Sequence, residues 1–76
     1  MNYAARIKAI ALSIMANNYQ STRDGAWFQT TEPAGIAAKR LIKSGLAELV
    51  PSSDRGQFRA RLTDAGIELC RSAGKL

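Results

Sequence analysis

Histidine is absent from the 76-residue chain, and cysteine occurs once, at Cys70. A single thiol cannot form an intramolecular disulfide, and without histidine it cannot complete a structural zinc site. Acid–base or nucleophilic catalysis would have to rest on carboxylates, lysine or this thiol, and the six carboxylates are scattered along the chain. The glycines are spread out as well, so no phosphate-binding loop is present. We therefore expect a protein that is not an enzyme and holds no metal or cofactor.

Long apolar runs are also missing. No run approaches the roughly 18 residues that a membrane span requires, and the N-terminus lacks the segments of a signal peptide. The sequence thus predicts a cytoplasmic protein without membrane contact. A chain of this length suffices for one domain, residues 1–76, with a thin core and little room for a small-molecule ligand. Association with a second subunit is the open route to further burial.

Acidic side chains are few relative to basic ones. Eleven lysines and arginines stand against six aspartates and glutamates, which gives a formal net charge of +5. A small, strongly basic protein favours a polyanionic partner, because its positive potential attracts phosphate groups over several ångströms. Nucleic acid is therefore the first class of partner to consider.

The first predicted element is a helix from Asn2 to Ala16, ending at the asparagine pair 17–18. The spacing of three and four that is typical of a buried helix face is shown by Tyr3, Ile7, Ile10 and Ile14. The opposite side carries a second set of small and apolar residues, Ala5, Ala9, Leu12 and Ala16. We interpret this second set either as an ordinary alanine-rich surface or as a face that contacts a second copy or another protein.

The segment Tyr19 to Thr31 is ambiguous. Asp24-Gly25 is a turn signal, and the aromatic residues that follow favour a short strand, although a helix starting near Ser21 also fits. Adjacent residues of a strand point to opposite sides of the sheet. We therefore expect Trp27 and Phe28 to pack in or beside the core, with one of them exposed.

A second helix is predicted from an N-cap at Thr31 to a closing glycine at Gly45, with Pro33 in the first turn. A helical wheel separates a mostly alanine and leucine side from a second side that carries Ile36, Lys39, Arg40 and Lys43. The apolar side is expected to face the core, which leaves the cations exposed.

The remaining chain reads as a hairpin and a helix. A strand over 46–50 and a loop over 51–56 precede a strand over 57–62, in which apolar and polar residues alternate as in a sheet with one buried face. Thr63 is the N-cap candidate of a last helix that ends near Ala73-Gly74. Cys70 falls in this helix among apolar neighbours and is interpreted as a buried structural thiol.

Three segments occur in order between about Thr31 and Leu69: a helix end, "LIKSGLAEL", a charged turn, "PSSDRG", and a strand that leads into the next helix, "QFRARLTDAG". This order resembles the second half of a winged helix-turn-helix domain of the MarR or PadR type. The resemblance implies a small α+β winged-helix fold, in which the helix before the hairpin enters the DNA major groove and the hairpin loop lies along the backbone. The standard domain has a further helix before this DNA-contacting helix. In the present chain that helix would fall in Tyr19 to Phe28, which lacks the apolar stripe of a packed helix.

The resemblance implies sequence-specific binding of double-stranded DNA by a small transcriptional regulator acting as a dimer, of a size that phages and mobile elements encode. The residues expected to contact DNA are Thr30, Thr31, Gly35, Ile36, Lys39, Arg40, Lys43, Arg55, Arg59 and Arg61. An alternative is a winged-helix module whose basic face docks on an acidic or nucleic-acid-binding protein. A third hypothesis is RNA binding, with Trp27 or Phe28 as the stacking residue.

Overall fold

A three-stranded antiparallel sheet with helices packed on one face makes a small α+β domain in the computed structural model, which describes residues 2–52 and 54–76. In chain order the elements are α1 (Tyr3–Gln20), β1 (Ala26–Gln29), α2 (Pro33–Lys43), β2 (Ala47–Val50), β3 (Gln57–Leu62) and α3 (Asp64–Ser72). The strand order is β1-β3-β2, so β3 pairs with both outer strands. None of the helices in these residues is long and apolar enough to cross a membrane.

Helix α1 begins where the sequence predicts but continues four residues beyond Ala16. At its start, the Asn2 side-chain oxygen accepts a hydrogen bond from the Ala5 N–H at 2.8 Å. At its end, Asn18 stays helical, and its side chain organises the turn that follows. The Asn18 amide nitrogen donates to an Asp24 carboxylate oxygen at 3.0 Å, and its carbonyl oxygen accepts from the Gly25 N–H at 3.0 Å.

The predicted buried face of α1 is wrong. The buried residues of the helix are Ala11, Leu12, Met15 and Ala16. Tyr3 is 68% exposed and Ile10 44% exposed, whereas Leu12 is 6% exposed and Ala16 1%. The partner face proposed from Ala5, Ala9, Leu12 and Ala16 is therefore wrong too, because two of its four members belong to the core.

The composition of the core explains this choice of face. Among the described residues, seven of the fourteen buried apolar side chains are alanines, contributed by all three strands and by α1 and α2. Small side chains let helices and sheet approach closely, and close approach gives the packing density of a protein interior. The α1 side that carries Ala11 and Ala16 meets this condition better than the isoleucine side.

The ambiguous segment forms a strand, and the alternative of a helix starting near Ser21 is wrong. β1 pairs with β3 so that Ala26 lies opposite Ala60. Phe28 is buried and stacks on Phe58, with ring centroids 5.6 Å apart, while Trp27 is 43% exposed on the side away from the helices. The expectation that one of the two aromatic residues is exposed is confirmed.

Helix α2 follows β1 after only the three residues 30–32, so the described chain has one helix between β1 and β2. Its N-cap is Glu32, one residue later than predicted, and Pro33 occupies the first turn. At the other end, Gly45 has φ +81° and the Leu46 N–H donates to the Leu41 carbonyl at 3.0 Å. The predicted glycine stop is confirmed.

The last helix is tied to the end of α2 through Thr63, its predicted N-cap. The Thr63 hydroxyl accepts from the Gly66 N–H at 3.2 Å and donates to the Gly45 carbonyl at 2.6 Å. Cys70, further along α3, is fully buried, as predicted. Burial raises the pKa of its thiol, although Lys75 opposes this shift, and the thiol is therefore held in its protonated, weakly reactive form.

Helix α2 reaches its position because Gly35 has no side chain. A Cβ atom at Gly35 would lie 1.8 Å from the backbone carbonyl oxygen of Gln29 at the end of β1. We expect Gly35→Ala to lower the free energy of unfolding by about 3 kcal/mol, since helix and strand would have to separate. Urea denaturation followed by circular dichroism measures this loss.

Gly45→Ala is the matched control for that substitution. Gly45 has no atom within 4 Å of an added Cβ, so the only cost is that of placing alanine at φ +81°, about 1–2 kcal/mol. Equal losses for the two variants would contradict the close contact between α2 and β1.

Candidate nucleic-acid interface

The exposed side of α2 carries Ile36, Lys39, Arg40 and Lys43, as the helical wheel predicts. Ile36 is 45% exposed and lies among the three cations. The opposite side of the helix packs on the core through Gly35, Ala37, Ala38 and Leu41. Within the described part of the chain, none of the three cations forms an ion pair. Their charge is therefore available to a ligand.

A groove of about 380 Å³ separates the start of α1 from the second half of α2. Lys8 of α1 and Arg40 of α2 both line it, so two cations border one concave surface. Lys8 is not among the residues predicted from the sequence to contact DNA, because no local pattern distinguishes it from other exposed lysines. Only the packing of α1 against α2 brings it beside Arg40.

The β2–β3 loop, residues 51–56, lies beside the start of α2. Its Gly56 carbonyl accepts two hydrogen bonds from Thr30, from the backbone N–H at 3.0 Å and from the hydroxyl at 3.2 Å. Arg55, immediately before Gly56, is exposed. Thr30 thus acts as a brace between β1 and the loop, and the exposed Thr31 follows it into α2. Ser53 of the predicted loop lies outside the described residues.

Lys39 connects the exposed side of α2 with the base of this loop. Its ammonium nitrogen lies 5.5 Å from the centroid of the Phe58 ring, a cation–π contact with the second residue of β3. The exposed side of α2 therefore contacts β3 next to the end of this loop.

Gly35 is not an exposed contact residue, and its predicted role at a DNA interface is wrong. It is buried, and the space that a side chain would occupy is filled by the Gln29 carbonyl. The helical wheel could not reveal this, since it shows the angular position of a residue and not the element packed against it.

Arg59 and Arg61 lie elsewhere, on the face of the sheet away from the helices. Arg59 donates to Asp24 at 3.1 Å, and its guanidinium carbon lies 4.8 Å from the centroid of the Trp27 ring. Arg61 donates to Glu48 at 2.6 Å on the neighbouring strand. Both arginines are exposed or half-buried as predicted for the open face of β3, but the fold does not bring them together with the cations of α2.

Asp24 organises the turn before β1. The Thr22 hydroxyl and the Asn18 amide donate to its carboxylate, and these hydrogen bonds lower the pKa of Asp24. Desolvation opposes the shift, while the Arg59 charge and a backbone hydrogen bond make smaller contributions that lower the pKa further. A lowered pKa means that the ionised carboxylate stabilises the folded state.

No family model, curated protein or solved structure matches the chain. The described residues also contain no cluster of three or more histidine, cysteine, aspartate or glutamate side chains that could hold a metal ion. The candidate interface therefore rests on the geometry and charge of its own residues.

The Asp24 network predicts a pH-dependent loss of stability. Because the pKa is lower in the folded state, the stabilisation is present above the pKa of the unfolded state and disappears as the pH falls through that of the folded state. We expect Asp24→Asn to destabilise the protein at about pH 7 and to have much less effect near pH ~2, where the wild-type carboxyl is protonated.

Urea unfolding of the wild type and the variant at both pH values measures the difference. Asp54→Asn, in the β2–β3 loop, makes the same charge change and serves as the control. A destabilisation by Asp24→Asn that is equal at both pH values would show that the carboxylate charge is not what holds the turn.

Proposed function

We propose that this chain is a winged-helix-like protein that binds double-stranded DNA, with α2 in the major groove and the β2–β3 loop beside the phosphate backbone. The observation that carries the proposal is the exposed side of α2, where Lys39, Arg40 and Lys43 surround Ile36 and form no ion pair within the described residues. The strand order β1-β3-β2 supports it, and so does the position of a basic helix directly before a hairpin whose loop exposes Arg55.

Electrostatics favour a phosphate backbone as the ligand. Cations that neutralise phosphates release condensed counterions, and this release contributes much of the affinity for DNA. Lys8 and Arg40 border one groove, and Arg55 is exposed at the loop, so cations flank α2 along its length and at its start. Arg59 and Arg61 are not part of this interface, because each already pairs with a carboxylate on the other face of the sheet.

The dimensions of α2 agree with a major-groove helix. Its eleven residues span ~16 Å, and the groove of B-DNA, ~12 Å wide, admits an α-helix. Phosphate contacts carry no sequence information, so any sequence preference must come from base edges. Ile36, exposed at the centre of the cations, is suited to contact a thymine methyl group, and Lys39 a guanine. We therefore infer a sequence-specific DNA-binding protein acting as a small transcriptional regulator.

The first experiment is a fluorescence anisotropy titration with a fragmented genomic duplex pool and a random duplex at ~50 and ~200 mM salt. Salt-sensitive binding that selects particular fragments is the expected result. Absence of binding to either duplex pool at the lower salt concentration would overturn the proposal.

The cations of α2 are tested by a double substitution, Lys39→Gln with Lys43→Gln. If both lysines contact phosphates, the slope of log affinity against log salt should become shallower by about 2, and affinity should fall roughly 100-fold at ~0.1 M salt. The variant is expected to keep its fold, because both side chains are exposed.

Arg71→Gln with Lys75→Gln is the matched control. It removes the same charge from the last turn of α3 and the residues that follow it. Equal weakening by the two double variants would mean that net charge, and not the exposed side of α2, determines binding.

The second candidate function is binding to an acidic protein. The exposure of Ile36 among cations favours it, because an apolar side chain surrounded by positive charge also suits such a partner. In that case the titration gives no DNA binding, and a stoichiometric partner should co-purify with the wild type and be lost on Ile36→Asp. The face containing Leu12 and Ala16 no longer supports this alternative, because both residues are buried.

A further inference from the structure

The side of α1 that was predicted to be buried remains largely open. Its apolar stripe consists of Tyr3, Ile7, Ile10 and Ile14, which contain no charged or hydrogen-bonding group apart from the tyrosine hydroxyl. Ile7 is half-buried, while Tyr3, Ile10 and Ile14 are 68%, 44% and 36% exposed. The residues that α1 contributes to the core come from a different part of its circumference. The helix thus has two apolar sides, of which its own domain fully covers one.

The apolar stripe continues onto neighbouring elements. Tyr3 and Ile7 line a cavity of about 260 Å³ together with Ile36 of α2. At the other end, Ile14 lines a cavity of about 170 Å³ together with Phe28 of β1 and Ala34 of α2. Of the seven large apolar side chains that are exposed in the described chain, three, Tyr3, Ile10 and Ile14, belong to the stripe itself, and Ile36 borders it. A contiguous apolar surface of this kind marks an interaction site, because isolated exposed apolar residues are ordinary but clusters are rare on monomers.

The spacing along the stripe indicates the kind of partner. Steps of four, three and four residues are those of alternating a and d positions in a heptad, the pattern by which two helices interlock their side chains. From Tyr3 to Ile14 the stripe is ~16 Å long. A partner helix must present the same period over the same length. A second copy of α1 meets this condition, since a two-fold axis brings identical surfaces together.

Charge restricts where a second copy can pack. Two copies, each with a net charge of +5, repel one another, so contact between them requires a surface free of cations. The apolar stripe is such a surface, whereas an acidic protein or DNA would be attracted to the exposed side of α2. We propose that the chain forms a symmetric homodimer in which the apolar stripe of α1 packs against the same stripe of a second copy.

Sedimentation equilibrium of the protein alone, at ~1 to ~300 µM, tests the proposal. The expected result is a mass that rises toward twice the 8.2 kDa of one chain. Ile10→Asp should raise the dimer dissociation constant at least ~100-fold, because each interface would bury two unpaired carboxylates. Leu69→Asp is the matched control, since Leu69 is also exposed, at 38%, and lies on α3 outside this surface.

A wild-type protein that stays monomeric throughout the range would overturn the proposal, and so would equal dissociation by Leu69→Asp. Circular dichroism shows whether Ile10→Asp is folded. If it is not, Tyr3→Asp decides, because a side chain 68% exposed can be replaced without disturbing the core. The samples contain no DNA, so the dimer and the DNA binding are tested separately. A monomeric protein would contradict the dimer and not the proposed DNA binding. A dimer that binds no DNA would contradict the DNA binding and not the dimer.

Discussion

The close approach of two glycines to backbone carbonyl groups positions the helices on the sheet. Gly35 lies over the Gln29 carbonyl and Gly66 over the Leu46 carbonyl, and a Cβ at either would lie within 2 Å of the oxygen. These contacts hold α2 against the end of β1 and α3 against the chain that enters β2. Because helix and strand meet backbone to backbone, a side chain cannot yield to relieve an added methyl group. The orientation of everything on the outer side of α2 depends on this constraint.

The candidate interface is a consequence of that packing. When α2 turns its glycine and alanines toward the sheet, its long cationic side chains are left on the outside, around Ile36. The double hydrogen bond from Thr30 to the Gly56 carbonyl then holds the β2–β3 loop, with its exposed Arg55, at the start of the same helix. The same alternation that buries one face of β3 places Arg59 and Arg61 on the far side, where carboxylates neutralise them.

A thin core also explains why one helix has two apolar sides. Alanines make up much of the buried set, so the domain packs closely but buries few large side chains. The isoleucines of α1 are not needed to complete this core and are left over at its edge. In the proposed homodimer they would be covered by a second copy, which is the route to further burial open to a chain that has a single cysteine and no histidine.

The sequence by itself determined the elements whose signals are local. The Thr63 cap, the glycine stop at Gly45, the alternation in β3 and the two sides of α2 are read from neighbouring residues, and the structure confirms each of them. Only the tertiary structure decided which side of α1 is buried, that Gly35 is inaccessible, and that Lys8 lies beside Arg40. The physical reason is that each of these depends on contact between residues far apart in the chain. Helical periodicity can identify two apolar sides of a helix, but the close packing of small residues against the sheet selects between them.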